Sequence, residues 1–540
     1  MQDSRRVLRT FSATLGSLSA LGLLLAAAPA DAAVVLSTAA AAAFDATVMA
    51  DSVAQPVDVA VLPDGKVLVI ERQGDVLIYS EPQGQPMIAH INVQSGHDEQ
   101  GLLGVVLDPS FATNQYVYFY ASINQDVGNR HQVLRYKLGS DGTLSDQQVV
   151  INMGLRGPAN HNGGALDIHD GNIYVGVGDT GANSTPPQNK FSTCLNIANG
   201  KVLRVSLADA SLGQAAAGNP LLDEAMVTGC DSPGGDLGMR APEKRIYAWG
   251  FRNPFRLWVD PTNGKLWVGD VGEGGREEVS VGDSGHYGYP FFEGTTEYNQ
   301  SFKPPGACMG ITPGVPCTAP AYDWPHLARA SAIGGRILDG CGWPAEWTSR
   351  YIFGDYEQNA IWTLEVNAER TAAVAGSVAD FATAEGPAAF RMGTDNALYV
   401  AEARGGRVTR ITAKSMAAAP NSCAEINDVP DDNLGGAGGD GNAGTPGGGD
   451  PPGAGNNTGG ALMPGGGTPP GTAGSPGNDA GTNPLTGGSG TSGADSGGCG
   501  CRVAGGSGSL ALGLSVLGGA LGLSLLRRRP LLRRRHSRRA

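Results

Sequence analysis

The chain has 540 residues, a formal charge of −13, and only 6% aromatic residues against 83 glycines. Twenty-seven of those glycines and 8 of the 34 prolines fall in Asp431–Gly500, a stretch with no aromatic, Lys or Arg, which cannot bury enough apolar surface to offset its chain entropy. Outside the two charged ends, Ala33–Leu526 carries 27 basic against 49 acidic residues, a balance of −22 that repels phosphate backbones and disfavours nucleic acid as a partner.

The first element is an address. Arg5, Arg6 and Arg9 precede an apolar stretch from Leu15 to Ala28, and Ala30-Asp31-Ala32 supplies small residues for cleavage after Ala32 or Ala33. Residues 1–32 therefore read as a secretory signal. Ser4–Arg9 also half-matches a twin-arginine export signal, although an ordinary basic leader is the better match.

The body, taken as 34–425, repeats a strand-turn-strand phrase. Val57–Ser80 reads VDVAVLPDGKVLVIERQGDVLIYS, with alternating apolar positions and Asp64-Gly65 at the turn. The phrase returns at Ala165–Gly181, Arg256–Gly272 and Phe390–Ile411, with weaker copies at Gly104–Ala121 and Arg350–Glu365. Six antiparallel units with few intervening helices predict an all-β fold, a six-bladed β-propeller, with a sandwich of hairpins as the competing arrangement. In a propeller, loops from several blades converge at one mouth of the central channel, where ligands bind.

Four clusters lie just before or after the repeated strands. Glu99-Gln100-Gly101-Leu102-Leu103-Gly104 comes first. Asn160-His161-Asn162-Gly163-Gly164 follows, with Asp179 one hairpin later; an imidazole is a general base near neutral pH, and a carboxylate brought beside it orients the ring. Gly250-Phe251-Arg252-Asn253-Pro254 holds an Arg between Gly and Asn-Pro, suited to a bidentate contact with an oxyanion. Gly269-Asp270-Val271-Gly272-Glu273-Gly274-Gly275-Arg276-Glu277-Glu278 combines carboxylates with a glycine-rich turn, a pattern compatible with calcium but not spaced as an EF-hand.

Six cysteines of the body, Cys194, Cys230, Cys308, Cys317, Cys341 and Cys423, form no Cys-x-x-Cys and point to disulfides in an exported chain. Fifteen pairings are open; Cys308 and Cys317 bracket a Pro/Gly-rich loop and are expected to close it. Residues 426–498 read as a disordered Gly/Pro-rich linker. Residues 499–540 begin with Cys499-Gly500-Cys501, continue through 24 uncharged residues, Val503–Leu526, long enough to span a bilayer, and end with 8 Arg after Leu526. This Cys motif, apolar span and Arg cluster resemble the MYXO-CTERM sorting tail of myxobacterial surface proteins, a resemblance that implies cleavage by a sorting protease and display at the cell surface. A plain single-span membrane anchor is the alternative.

From about Gln55 to Thr412 the motifs Glu99–Gly104, His161–Gly164, Gly178-Asp179, Gly200–Arg204, Arg252–Pro254 and Gly272…Glu277-Glu278 occur in an order that resembles the soluble quinoprotein glucose/sorbosone dehydrogenases. That resemblance implies a propeller holding pyrroloquinoline quinone (PQQ) and Ca2+ at the channel mouth, and oxidation of the anomeric carbon of an aldose to a lactone. It implies that His161 takes the anomeric hydroxyl proton while hydride moves to the quinone, and that Asp179 holds the imidazole. Arg252 would stabilise charge on the quinone oxygen and Asn253 would touch the cofactor. Gly272 and Glu273 would hold calcium through backbone carbonyls, and Glu99 would face the sugar. The partners implied are a small-molecule sugar and an external electron acceptor.

One departure stands out. Where the glucose dehydrogenases of this family hold the quinone carboxylates with a Lys and two Arg, alignment places Glu357, Glu385 and Pro387 here, leaving Arg391 or Arg404 as substitutes. Two readings stay open: a surface-anchored PQQ sugar dehydrogenase, and a non-catalytic propeller binding a glycan or protein partner. A calcium-dependent lactone hydrolase is a third.

Overall fold

The computed structural model describes residues 33–415 apart from 97–98, 124–129, 155–159, 182–190, 232–236, 300–316, 328 and 341. The leader, the Gly-rich linker and the Cys motif with its apolar span and Arg-rich tail lie outside these residues, as do Cys308, Cys341 and Cys423. Among the described residues no helix is long and apolar enough to cross a membrane.

Six antiparallel sheets follow one another along the chain as the blades of a propeller. The first blade runs Pro56–Val61, Val67–Glu71, Asp75–Tyr79 and Met87–His90, and the second Leu102–Leu107, Tyr116–Ile123, Arg130–Leu138 and Leu144–Gly154. The third uses Leu166–His169, Asn172–Val177, Lys201–Ser206 and Ile246–Trp249; the fourth uses Pro254–Val259, Leu266–Asp270, Arg276–Gly282 and Tyr322–Pro325. The inner strand of the fifth is split into Ala332–Ile333 and Ile337–Leu338, followed by Arg350–Asp355, Ala360–Glu365 and Ala379–Thr383. The sixth runs Pro387–Met392, Leu398–Glu402 and Arg407–Ala413.

Each repeated phrase falls within one blade, because alternation places one side chain of every two between neighbouring sheets. Asp64-Gly65 and Asp170-Gly171 turn the chain between inner and second strands, with Gly65 at φ 83° and Gly171 at φ 66°. The weak copies have local causes. The second blade replaces the tight turn with a short helix, Phe111–Asn114. In the fifth, the inner strand breaks at Gly334-Gly335, where a Cβ on Gly334 would lie 2.6 Å from the Gly269 nitrogen of the fourth blade.

The N-terminal segment closes the ring. Phe44–Ala50 pairs with Arg407–Ala413 as the outer strand of the sixth blade, with Phe44 opposite Ala413. Val35–Leu36 adds to the fifth blade beside Ala379–Thr383. The scarce aromatics concentrate where blades meet: Trp267 stacks on Tyr351 at 4.5 Å between the fourth and fourth-facing fifth sheets, and Phe44 contacts Trp343 at 4.7 Å.

The channel is tied at its waist by charged groups. Arg256, on the inner strand of the fourth blade, donates to Val57 O at 2.7 Å and Ala388 O at 2.9 Å, reaching the first and sixth blades. Arg391 of the sixth blade binds Asp58 of the first through two bonds, at 2.8 and 3.0 Å. Asp58 also accepts from Val105 of the second blade at 3.2 Å. Beyond the waist, a cavity of about 430 Å³ is lined by the C-terminal ends of the inner strands, among them Val61, Leu107, His169, Val259 and Met392. Their N-terminal ends open at the opposite mouth.

One of the expected disulfides forms within the third blade. Cys194 and Cys230 are bonded, pinning the loop that leads from Asp179 to the third strand. Cys317 is also disulfide-bonded, to a residue outside the described ones.

Two outcomes are expected. Burial opposes the Asp58 charge, but Arg391 and Arg256 outweigh it and hold its carboxyl below the ordinary range. A depressed folded-state pKa means that this stabilisation is complete above the unfolded value and is lost as pH falls through the lower folded one. Asp58→Asn should therefore cost about 3–5 kcal/mol in urea melts at pH 7, and its deficit against the unsubstituted protein should shrink in strongly acidic buffer. Replacing Cys194 by Ser opens a loop of sequence separation 36 and should lower stability by about 3–4 kcal/mol under non-reducing conditions.

Candidate active site at the channel mouth

The N-terminal ends of the inner strands bring three of the four sequence clusters onto His161. The turn Asn160–Gly164 precedes the inner strand of the third blade, and His161 itself adopts φ 50°, a left-handed conformation uncommon for a non-glycine residue. Two close backbone approaches hold it there. A Cβ on Gly163 would lie 2.3 Å from Gly176 O, and one on Gly178 would lie 1.8 Å from His161 O. Beneath the turn, Tyr120 donates its hydroxyl to Asn162 O at 2.6 Å.

His161 Nδ1 lies 2.7 Å from Asp179 Oδ1; the His side chain is 14% exposed and the Asp 1%. The same Asp179 oxygen accepts from Gly181 N at 2.8 Å, which fixes the carboxylate independently of the ring. With Nδ1 turned to Asp179, Nε2 is the ring nitrogen available to a ligand. Glu99 accepts a hydrogen bond from the His161 main-chain N–H. The Glu99 carboxylate therefore lies against the main chain of the His161 turn.

Arg252 and Asn253 enter from the loop before the inner strand of the fourth blade. Arg252 O accepts from Asp179 N at 2.8 Å, linking the two loops directly. Asn253 Oδ1 accepts from Gly163 N at 2.9 Å, leaving its amide hydrogens as donors. The Arg252 guanidinium is buried and anchored: Nε meets Glu273 Oε2 at 2.6 Å and Nη1 meets Val271 O at 3.1 Å. Burial works against its charge, but Tyr289, Glu273 and Asp179 more than offset this and hold the guanidinium above its usual pKa. The fork inferred from the sequence is thus already occupied along its Nε side by Glu273.

The Gly272 turn is shaped by carboxylates on both sides. Gly272 N donates to Glu277 Oε1 at 3.2 Å, and Glu273 N to Glu293 Oε1 at 2.6 Å. Since N–H and C=O of a trans peptide point oppositely, the Gly272 carbonyl is aimed away from Glu293. Glu277 also accepts from Ala332 N at 2.6 Å and pairs with His326, whose pKa that hydrogen bond raises. No group of three His, Cys, Asp or Glu side chains that could hold a metal occurs among the described residues. The donors expected for calcium are main-chain carbonyls, a class that such a group does not include.

At the positions aligned with the cationic clamp, the carboxylates are paired. Glu357 binds Arg404 at 3.0 Å, and Glu385 lies 3.7 Å from Arg407. Arg404 also donates to Asn359 Oδ1 at 2.6 Å and covers the Tyr356 ring. Arg391 is engaged with Asp58 at the waist, so of the two substitutes considered it is Arg404 that stands with Glu357. Pro387 begins the inner strand of the sixth blade. Each of these carboxylates thus has an arginine nearby, with Arg407 shared between Glu385 and the buried Glu402 at 3.7 Å each, a pairing that residue spacing alone did not show.

Two further supporting groups stand in or beside the sequence motifs without a role assigned there. Lys201 is fully buried, with Nζ on the carbonyls of Asn199, Phe191 and Ser192 at 2.6, 2.8 and 3.1 Å, and burial lowers its pKa well below the usual value. Tyr289 is buried beside Arg252, Asp179 and Glu273, and its pKa is raised by that burial first. A buried lysine inside an alternating strand, as in Gly200-Lys201-Val202, was the available signal.

Comparisons with known proteins agree with this architecture. The aldose sugar dehydrogenase YliI of Escherichia coli is 26% identical over 278 residues, covering 51% of this chain and 67% of that protein. An uncharacterized protein of Synechocystis, slr1608, is 28% identical over 254 residues, and the match spans 57% of its length and 44% of this chain. Among solved structures, a Thermus thermophilus putative oxidoreductase (glucose dehydrogenase) superposes with a TM-score of 0.54 at 24% identity, covering 68% of this chain and 100% of that one. The PQQ-bound aldose sugar dehydrogenase of Streptomyces coelicolor does so with a TM-score of 0.52 at 20% identity, over 69% and 98% of the two chains. These two structures share the six-bladed fold. The family model for Glucose / Sorbosone dehydrogenase matches residues 53–410, the whole of the ring apart from its N-terminal closing strands and last residues, and the chain belongs to that family.

Proposed function

We propose that the protein is a PQQ-dependent aldose dehydrogenase that oxidises the anomeric carbon of a sugar to a lactone. The observation that carries this reading is the His161–Asp179 pair at 2.7 Å, joined through the Arg252 main chain to a buried guanidinium at the same mouth. A propeller that only binds a partner has no use for a base, an orienting carboxylate and a cation in one network.

The donor set fits the quinone on the His161 side. Arg252 presents its guanidinium and Asn253 its amide, while the carbonyls of Gly272 and Glu273 would hold the cofactor's calcium. PQQ, when bound, supplies a quinone that accepts a hydride from the sugar. His161 takes the anomeric hydroxyl proton at Nε2, and Asp179 keeps the ring in that tautomer and stabilises its charged form. Arg252, held at the same mouth, would present its guanidinium to the quinone oxygens. Glu99, beside His161, is placed to accept from a sugar hydroxyl. An external acceptor would take up the electrons.

The pairing of Glu357 with Arg404, and of Arg407 with both Glu385 and Glu402, favours a second reading, a propeller that binds a glycan or protein without chemistry. In either case we propose that the chain is exported, tethered by the linker 426–498, and displayed at the cell surface after processing by a sorting protease. The leader and the tail with its apolar span motivate that placement.

Titration with PQQ and calcium, followed by dye reduction with a panel of aldoses, separates the two functional readings. Quinone binding at micromolar concentration with turnover is expected; no binding would favour the second. His161→Ala should lower kcat by about 10²–10⁴-fold with an unchanged thermal midpoint, and unchanged turnover would remove His161 as the base. Chelating calcium should weaken PQQ binding while circular dichroism of the ring stays constant.

A further inference from the structure

Asp270 ends the second strand of the fourth blade and has only 3% of its surface exposed. It pairs with Pro254, the first residue of the inner strand. Proline has no N–H, so the sheet ladder cannot continue outward past this point. Arg252 and Asn253 therefore leave the strand with two main-chain donors and no strand partner to receive them. The Asp270 carboxylate receives both, Oδ2 from Arg252 N at 2.9 Å and Oδ1 from Asn253 N at 2.6 Å.

The consequences spread through those two residues. Arg252 O is fixed to Asp179 N, and Asn253 Oδ1 is fixed to Gly163 N in the His161 turn. Val271 N returns to Asn253 O at 3.2 Å, closing the loop against the calcium turn. A buried carboxylate is costly unless its acceptors are used. Both Asp270 oxygens are used, whereas an amide offers one acceptor and would set its NH₂ against the second N–H.

We infer that Asp270 is a positioning residue that aims Arg252 and Asn253 at the cofactor through their main chain. The inference rests on the proposed PQQ chemistry for its purpose, though not for its geometry. Asp270 touches no ligand itself and acts on three loops, those of His161, Asp179 and Gly272, through a single pair of hydrogen bonds.

The test has two readouts on the full chain. Without ligand, Asp270→Asn should speed amide hydrogen exchange at Arg252 and Asn253 at least tenfold, while amides of the sixth blade stay within twofold. Unchanged exchange at those two amides would overturn the inference. In a titration with PQQ and calcium, D270N should bind at least tenfold more weakly, and turnover should show a lowered kcat with little change in KM for the sugar. Affinity equal to that of the unsubstituted protein would overturn it. If the unsubstituted protein binds no PQQ, the proposed function fails, and the exchange experiment still decides the positioning role. Should D270N not fold, Asp270→Glu keeps the charge but shifts it by one methylene. Exchange and affinity between the two extremes are then expected, and values matching the unsubstituted protein would count against the inference.

Discussion

Two guanidinium groups and one carboxylate at the channel waist hold five of the six blades in register. Arg256 reaches from the fourth blade to carbonyls of the first and sixth, and Arg391 joins the sixth to Asp58 of the first, which in turn binds the second. Arg391 also approaches Leu166 O of the third at 3.4 Å. Charges at 0–3% exposure, as in Asp58 and Arg256, persist only when every acceptor and donor is engaged. Burial lowers the Arg256 pKa and Asp58 partly offsets it, and the balance, about 10, leaves the group cationic at physiological pH. The side chains that make these ties, Asp58, Arg256 and Arg391, lie within the inner strands, and the loops that precede those strands carry the site.

The same economy of position shapes the site. Main-chain groups do most of the linking: Asp179 N to Arg252 O, Asn253 Oδ1 to Gly163 N, and the Gly272 turn to Glu277 and Glu293. The Asn253 amide oxygen and the Glu277 and Glu293 carboxylates are committed to these links, and Glu273 is committed to another. Glu273 spends its carboxylate on Arg252, so a ligand oxygen seeking the Nε edge of that guanidinium must compete with it. Glu278 lies opposite Asp270 across the ladder, and burial together with that neighbour raises its pKa well above the carboxyl range. Burial raises the Asp270 pKa as well, to about 7, against the opposing pull of the Arg252 and Asn253 N–H groups and the Arg252 charge, so Asp270 is the member of the pair that ionises first.

Much of this was readable in the order of residues. Alternation and Asp-Gly turns reveal the blades because both express local geometry, and a histidine flanked by glycines ahead of a strand marks a backbone-built turn. Glu99 and His161, from the first and second clusters, are joined by a hydrogen bond to the His161 main chain. Other features have no local signature. Phe44–Ala50 joins a strand at the far end of the chain, and its own few residues do not announce that partner. The fifth inner strand is interrupted at Gly334-Gly335 by the closeness of Gly269, a contact between blades. Asp270 stood in a quoted motif, but its action on the amides of Arg252 and Asn253 becomes visible only with the ladder register. The pairing of Glu357 and Glu385 with arginines likewise needs side-chain directions that spacing does not supply.

The closing strand has a topological meaning. Phe44 lies opposite Ala413, one antiparallel pair from the point at which the ring's last strand ends. The propeller's two boundaries are thus neighbours, and its order of blades is a cycle cut at one arbitrary place. A short linker from Ala413 back to Phe44, with new termini opened in a surface turn such as Asp64-Gly65, would preserve every strand pair from Phe44 to Ala413. In a circular permutant of that kind the chain would begin elsewhere on the circle while His161, Asp179 and Arg252 kept the same neighbours.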